Sequence, residues 1–241
     1  AHWTPNTNTA YKIDYYKQNV GNNEYALFAT DNKTGTTGET AHILNYENKY
    51  EGFTYTTTAD TLASSTIAAD GSLTLKAYYN RNYYKVTFMN EGVEYNSQNR
   101  RYGANVTVPS NPTKNETAQY TFTFAGWDKE IPTTIPAENI IITATYTSTI
   151  KKYDVTFLSD VGGATLKTES VEYGSGATAP IPPTKTDHTF NGWDNGFSNI
   201  TQTTTVTATY NINTYTITFN SNGGTAVDAK TANYGSNVIK P

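Results

Sequence analysis

Apolar and polar positions alternate along this chain in short bursts, and the same two bursts return three times in the same order. Tyr-x-(Val/Ile)-Thr-Phe spans residues 84–88, 153–157 and 215–219; (Leu/Ile/Val)-x-Ala-x-Tyr spans 75–79, 142–146 and 206–210. A strand sends successive side chains to opposite faces, so Tyr153, Val155 and Phe157 share one face while Asp154 and Thr156 share the other. Each closing pattern ends a few residues before the next opening pattern. Self-similarity at roughly 60–70 residues predicts a tandem array of small modules.

Residues 151–212 carry the fullest set of landmarks. A strand over 153–157 leads to a Gly162-Gly163 turn, and a second strand over 168–173 ends at Tyr173-Gly174. The proline-rich passage 180–185 cannot sit in a central strand and reads as a crossing connection. Phe190, Gly192 and Trp193 begin a third strand, and 203–210 is the fourth, with Val206, Ala208 and Tyr210 inward. Residues 83–150 repeat the order through Tyr102-Gly103, Pro109, Pro112, Gly126-Trp127 and 142–146.

Residues 11–82 form a divergent cousin. Tyr11, Ile13 and Tyr15 stand for strand one, 34–38 for the turn region, and Tyr50, Gly52 and Phe53 for the aromatic-Gly-Trp landmark. Residues 39–50 lack proline, and Ala41, Ile43 and Leu44 with a cap at Thr37 predict one short helix. Residues 213–241 supply only the first half of a further module, and 1–10 an N-terminal segment. Such a half-module calls for cover, because an isolated hairpin is marginal in water. The linkers are short and none is a Gly/Ser tether, which predicts touching neighbours and a semi-rigid array.

Composition agrees with strands. The 45 threonines and 20 tyrosines suit a pleated, half-solvated surface, and 26 asparagines with 17 glycines suit tight turns. A net charge of −4 weighs against nucleic acid, whose phosphates require clustered Lys and Arg. No run of about 18 apolar residues occurs, so no direct membrane insertion is expected. Absence of a signal peptide and an initial Ala1 read as an excerpt of a longer precursor. Small extracellular modules usually need disulfides, yet cysteine is absent. Cys-free, Thr-, Asn- and Tyr-rich repeats instead fit exported bacterial proteins.

The landmarks over 83–241, namely the Tyr-Thr-Ile-Thr-Phe-Asn-Ser-Asn-Gly-Gly run at 215–224, Tyr-Gly followed by prolines, Gly126-Trp127, Gly192-Trp193 and Thr-Ala-Thr-Tyr at 143–146 and 207–210, resemble the Listeria–Bacteroides repeat, or internalin B-repeat, family of bacterial surface proteins. Residues 11–82 are similar to the mucin-binding-protein-like repeats that often precede such modules. The resemblance implies a β-rich, α+β fold: β-grasp-like modules of about four strands, arranged as an elongated stalk. It also implies a cell-wall-anchored or secreted protein, and it carries over no catalytic residues.

Candidate chemistry is sparse. The histidines are His2, His42 and His188, and no Gly-x-Ser-x-Gly, His-Glu-x-x-His or phosphate-loop motif is present. Asp187, His188 and Asp194 form the one acid–imidazole group, more simply read as a solvated loop. The stretch 220–224 resembles a calcium loop without its carboxylates and is better read as a turn. No catalytic residue, cofactor or metal site is expected. Trp127 and Trp193 are expected to plug the cores, with the neighbouring glycines letting strands approach. In the tyrosine doublets, alternation sends Tyr16, Tyr78 and Tyr83 outward. These rings either pack across strands or stack on a sugar or a host protein. The leading expectation is a non-catalytic stalk with adhesive capacity at the bacterial surface. The alternative is an accessory, carbohydrate-binding region of a secreted polysaccharide-degrading enzyme.

Overall fold

The computed structural model describes residues 4–160 and 163–240. The alternating bursts form strands, and no helix occurs among these residues, so none is long and apolar enough to cross a membrane. The first sheet is built from β1 (Thr9–Gln18), β2 (Tyr25–Gly35), β4 (Phe53–Thr56) and β6 (Thr74–Arg81), ordered β2-β1-β6-β4. The short β3 (Thr40–His42) and β5 (Ser64–Thr66) pair apart from it. The second sheet comprises β7 (Tyr83–Asn90), β8 (Val93–Arg101), β9 (Tyr120–Trp127) and β10 (Ile140–Ile150), ordered β8-β7-β10-β9. The third comprises β11 (Lys152–Leu158), β12 (Thr165–Glu172), β13 (His188–Trp193) and β14 (Thr204–Ile212), ordered β12-β11-β14-β13. A hairpin of β15 (Thr214–Ile217) and β16 (Lys230–Asn233) follows.

One topology therefore occurs three times: an antiparallel hairpin, then a closing strand that pairs in parallel with the first strand. The parallel pairs are β1 with β6, β7 with β10, and β11 with β14. A parallel return needs a long crossover; proline-rich passages supply it in the second and third sheets, and a proline-free stretch with β3 does so in the first. Residues up to Lys114 with Phe124–Thr147 form one compact unit, and Asn115–Thr123 with residues from Ser148 onward form another; β9 and β10 run through both.

Each sheet buries its own cluster. Leu75, Ala77 and Tyr79 are enclosed with Ile13 and Tyr15 in the first; Val86, Phe88, Ile135 and Ile142 in the second; Val155, Phe157, Ile200 and Val206 in the third. Ile67, Ile135 and Ile200 come from irregular segments that carry no periodicity. Each is held by two backbone bonds beside a Tyr-Gly or equivalent turn. Gly38, Gly103 and Gly174 donate N–H to Ile67, Ile135 and Ile200 at 3.0, 2.9 and 2.7 Å, and these isoleucines donate back to Glu39, Ala104 and Ser175.

Four local expectations are corrected. The helix over 39–50 is replaced by β3 and turns: Ala41 and Ile43 are buried while Leu44 is 76% exposed, and Asn45 and Asn48 adopt positive φ. Residues 34–38 do not close the first hairpin; β2 ends there, and Gly38 is the counterpart of Gly103. The hairpin turn lies at 19–24, where the Asn19 N–H donates to the Glu24 carbonyl at 2.8 Å. Trp127 and Trp193 are half-buried lids over the enclosed rings of Phe88 and Phe157, with centroids 5.0 and 5.1 Å apart, not central plugs. The glycines before them admit no strand approach, since a Cβ there would meet nothing within 4 Å. They are needed for φ of +127° at Gly126 and +112° at Gly192, the latter in a β-bulge. In the Gly162-Gly163 turn, Gly162 lies outside the described residues, while the Gly163 N–H donates to the Asp160 carbonyl at 2.9 Å.

Candidate functional site

The three tyrosines picked out by alternation meet different fates. Tyr16 and Tyr78 share the face opposite the core and stack at 4.8 Å, and Tyr25 closes edge-on against Tyr78 at 5.2 Å. Tyr78 is consequently only 7% exposed, which closes its ring to any ligand. Tyr83 is 57% exposed, near the Arg101 guanidinium, 5.8 Å from its ring centroid.

The acid–imidazole group is dispersed. Asp187 and Asp194 bracket β13, so roughly 20 Å of extended strand separates them. Each residue has its own work. Asp187 accepts a hydrogen bond from the Tyr215 hydroxyl at 2.8 Å, the His188 ring meets the Thr186 carbonyl at 2.7 Å, and Asp194 accepts from the Thr207 N–H at 2.6 Å. Asp128 accepts from the Thr143 N–H at 2.6 Å in the same way, so the Asp after Gly-Trp anchors the closing strand in both modules. His2 lies outside the described residues. In 220–224 the Asn222 N–H donates to Asn220 Oδ1 and the Gly224 N–H to the Ser221 carbonyl, both at 2.9 Å, which makes a turn.

What recurs as a site is the junction. Asn82, Lys151 and Asn213 each donate their N–H backwards, to the carbonyls of Gly52, Gln119 and Asp187, at 2.9, 2.8 and 2.8 Å. Each accepts, on its own carbonyl, the N–H of the next Tyr-Gly tyrosine: Tyr102, Tyr173 and Tyr234, at 2.8, 2.9 and 2.9 Å. Side chains reinforce the pattern. Thr54 and Thr189 donate to the side-chain oxygens of Asn82 and Asn213 at 2.7 and 2.6 Å. At the middle junction, Lys151 instead pairs with Glu116 at 2.8 Å. The opening tyrosines of the repeat join in: Tyr153 donates to the Ala118 carbonyl at 2.6 Å, and Tyr215 to Asp187. The backbone bonds need no particular side chain, which is why the linkers vary in sequence.

At the first junction the Tyr102 ring lies directly on Gly52, where any Cβ would collide with it, and edge-on to Phe53. Gly52 thus occupies the position of Asp187 and not that of Gly192, which corrects the expected correspondence. Beside it opens a cleft of about 300 Å³ walled by Lys17, Phe28, Phe53, Arg81 and Tyr102. Lys17 Nζ sits 3.4, 3.9 and 4.7 Å from the ring centroids of Phe28, Tyr50 and Phe53. Burial, and then Arg81, push its pKa down. Arg81 donates to the carbonyls of Gln18 and Tyr102 at 2.6 and 2.9 Å. Phe28 is the extra residue of a bulge in β2, since Tyr15 pairs with Ala29 and Tyr16 with Leu27; the bulge aims its ring at Lys17. Sequence reasoning passed over this cleft. A signal was there: Lys17 continues the inward phase of Ile13 and Tyr15, and Arg81 that of Ala77 and Tyr79.

The Listeria-Bacteroides repeat domain profile matches residues 84–150, 153–214 and 215–241. Two proteins of Evansella cellulosilytica are similar to the chain, each 31% identical over 70% of it. One is provisionally named a Gly-rich membrane protein and the other a membrane protein. The chain spans only 21% and 27% of their respective lengths. Three matched segments, each opening at the tyrosine-led first strand described above, mean that this chain belongs to the Listeria–Bacteroides repeat family.

Proposed function

We propose that the chain is a non-catalytic spacer of an extracellular bacterial surface protein, an elongated stalk of β-grasp-like modules that holds other parts of the protein away from the cell. Its first module, 11–82, is read as a divergent mucin-binding-like repeat with the same strand order as its neighbours. The observation that carries the reading is the junction, built three times from the same backbone bonds. A chain selected for a pocket would vary its scaffold around one site, whereas this one repeats its connections. The names of the Evansella relatives support placement at a bacterial envelope. The separate engagement of Asp187, His188 and Asp194 supports the absence of catalysis.

Small-angle scattering tests the stalk. A compact protein of 241 residues has a radius of gyration of about 18 Å. Modules of about 65 residues joined in line raise it above about 24 Å. A value at the compact estimate would rule the stalk out.

A further inference from the structure

We propose that the cleft beside β1, β2, β4 and β6 is a binding site for an acidic sugar, a pyranose carrying a carboxylate. Among the described residues the Lys17 ammonium makes no hydrogen bond or ion pair and is held by rings alone. Both Lys17 Nζ and the Arg81 guanidinium lie within 5 Å of the Phe53 centroid, so two positive charges share one ring. Among the described residues neither forms an ion pair with a carboxylate, while Arg81 pushes the pKa of Lys17 down and Arg101 does the same to Arg81. This concentration stands out in a chain of net charge −4.

The walls narrow the class of anion. Phe28 is 58% exposed and offers an apolar face to the C–H side of a pyranose, and Leu27 beside it is also open. The cleft is at the small end of ligand pockets, which suits one or two sugar rings and not a folded partner. A carboxylate between Lys17 and Arg81 would strengthen both charges in a partly dry site. A free inorganic anion would leave the ring wall unused, and a neutral sugar would leave the ammonium unpaired. The inference goes beyond the spacer reading: a stalk needs no ligand, and a failed titration leaves the scattering result untouched.

The test is calorimetric titration of the whole chain with a galacturonic acid tetramer, set against the neutral galactose tetramer and sodium acetate. The acidic tetramer is expected to bind at least ten-fold more tightly than either, and to weaken as salt rises. Lys17→Gln should abolish that preference. Phe28→Ala, at an exposed ring where folding is not at stake, should weaken both tetramers several-fold. Equal affinity for the charged and neutral tetramers, or a preference that survives Lys17→Gln in a variant of unchanged melting temperature, would overturn the proposal. Tighter binding of a peptide through its free C-terminal carboxylate would overturn it too, by assigning the cleft to a protein ligand.

Discussion

Phe157 is fully enclosed, with Trp193 lying half-buried over it and Phe197 edge-on at 5.4 Å. The stability cost of truncation follows the cavity left behind, and a lid exposed to water leaves little cavity. Phe157→Ala should therefore cost about 3–5 kcal/mol, and Trp193→Ala distinctly less, despite its greater size. Urea denaturation followed by circular dichroism compares them directly; a larger loss for Trp193→Ala would restore it as the central anchor. Tyr15 carries a second consequence at this scale. Burial, and then the hydrogen bond to Asp31, push its hydroxyl up to about 12, and burial pushes Tyr79 in the same direction. Below pH about 10 both tyrosines are neutral folded or unfolded, and their contribution is whole. Between about 10 and 12 only the unfolded chain gains by ionising, so stability falls as pH rises through this window. The urea midpoint of the first module should drop there; a midpoint flat to pH about 11 would contradict it.

At the level of elements, the hairpin of β15 and β16 is the most weakly held. No described residue from Asn211 onward is buried, and the cover expected for this half-module is slight. Its tie to the preceding module rests on the Tyr234 N–H to the Asn213 carbonyl and on the Tyr215 hydroxyl to Asp187, a bond that also raises the Tyr215 pKa. Tyr215→Phe removes one hydrogen bond and almost no surface, so the cost is about 0.5–1.5 kcal/mol. Hydrogen exchange should quicken in Thr214–Ile217 and Lys230–Asn233 and stay unchanged in Lys152–Leu158. Unchanged exchange in the hairpin would mean that the hydroxyl bond contributes nothing. The same scale shows what was legible in the chain. The places of the strands are legible because Val155 and Phe157 alternate with Asp154 and Thr156, and Val206 and Ala208 with threonines. Ile135 and Ile200 are not, because each reaches its core from a loop through two backbone bonds that any residue can make. The helix expected over 39–50 is absent for a related reason: Ala41 and Ile43 alternate at the spacing of a strand and are buried, while Leu44 faces water. Lys17 and Arg81 are hidden from a pattern of apolar alternation because they carry charge on an inward phase.

For the whole molecule, the decisive fact is that its apolar residues fall into separate clusters. The enclosed rings and aliphatic side chains of the three sheets have no member in common. The two later junctions are hydrogen bonds and one surface ion pair, each bond contributing about 0.5–1.5 kcal/mol net, against several kcal/mol for one enclosed aromatic; the first adds the Tyr102 ring on Phe53 and Arg101 bonds to the carbonyls of Asn19 and Val20. Coupling of that size is smaller than the stability of a domain, which runs to about 5–15 kcal/mol. The chain should then not melt as one cooperative body. In scanning calorimetry the measured enthalpy should exceed the van't Hoff value, as for any molecule that unfolds in parts. Phe157→Ala sharpens the prediction, because its loss falls on the third cluster alone. The transition belonging to residues 152–212 should shift far down in temperature, since 1 kcal/mol moves a domain of this size by about 4–8 °C. The transition of the first sheet, whose core is Leu75, Ala77 and Tyr79, should stay within a degree or two of its original place. A single two-state transition that moves as a whole in Phe157→Ala would show that the junctions transmit far more energy than their hydrogen bonds account for, and the modules would then have to be treated as one folding unit.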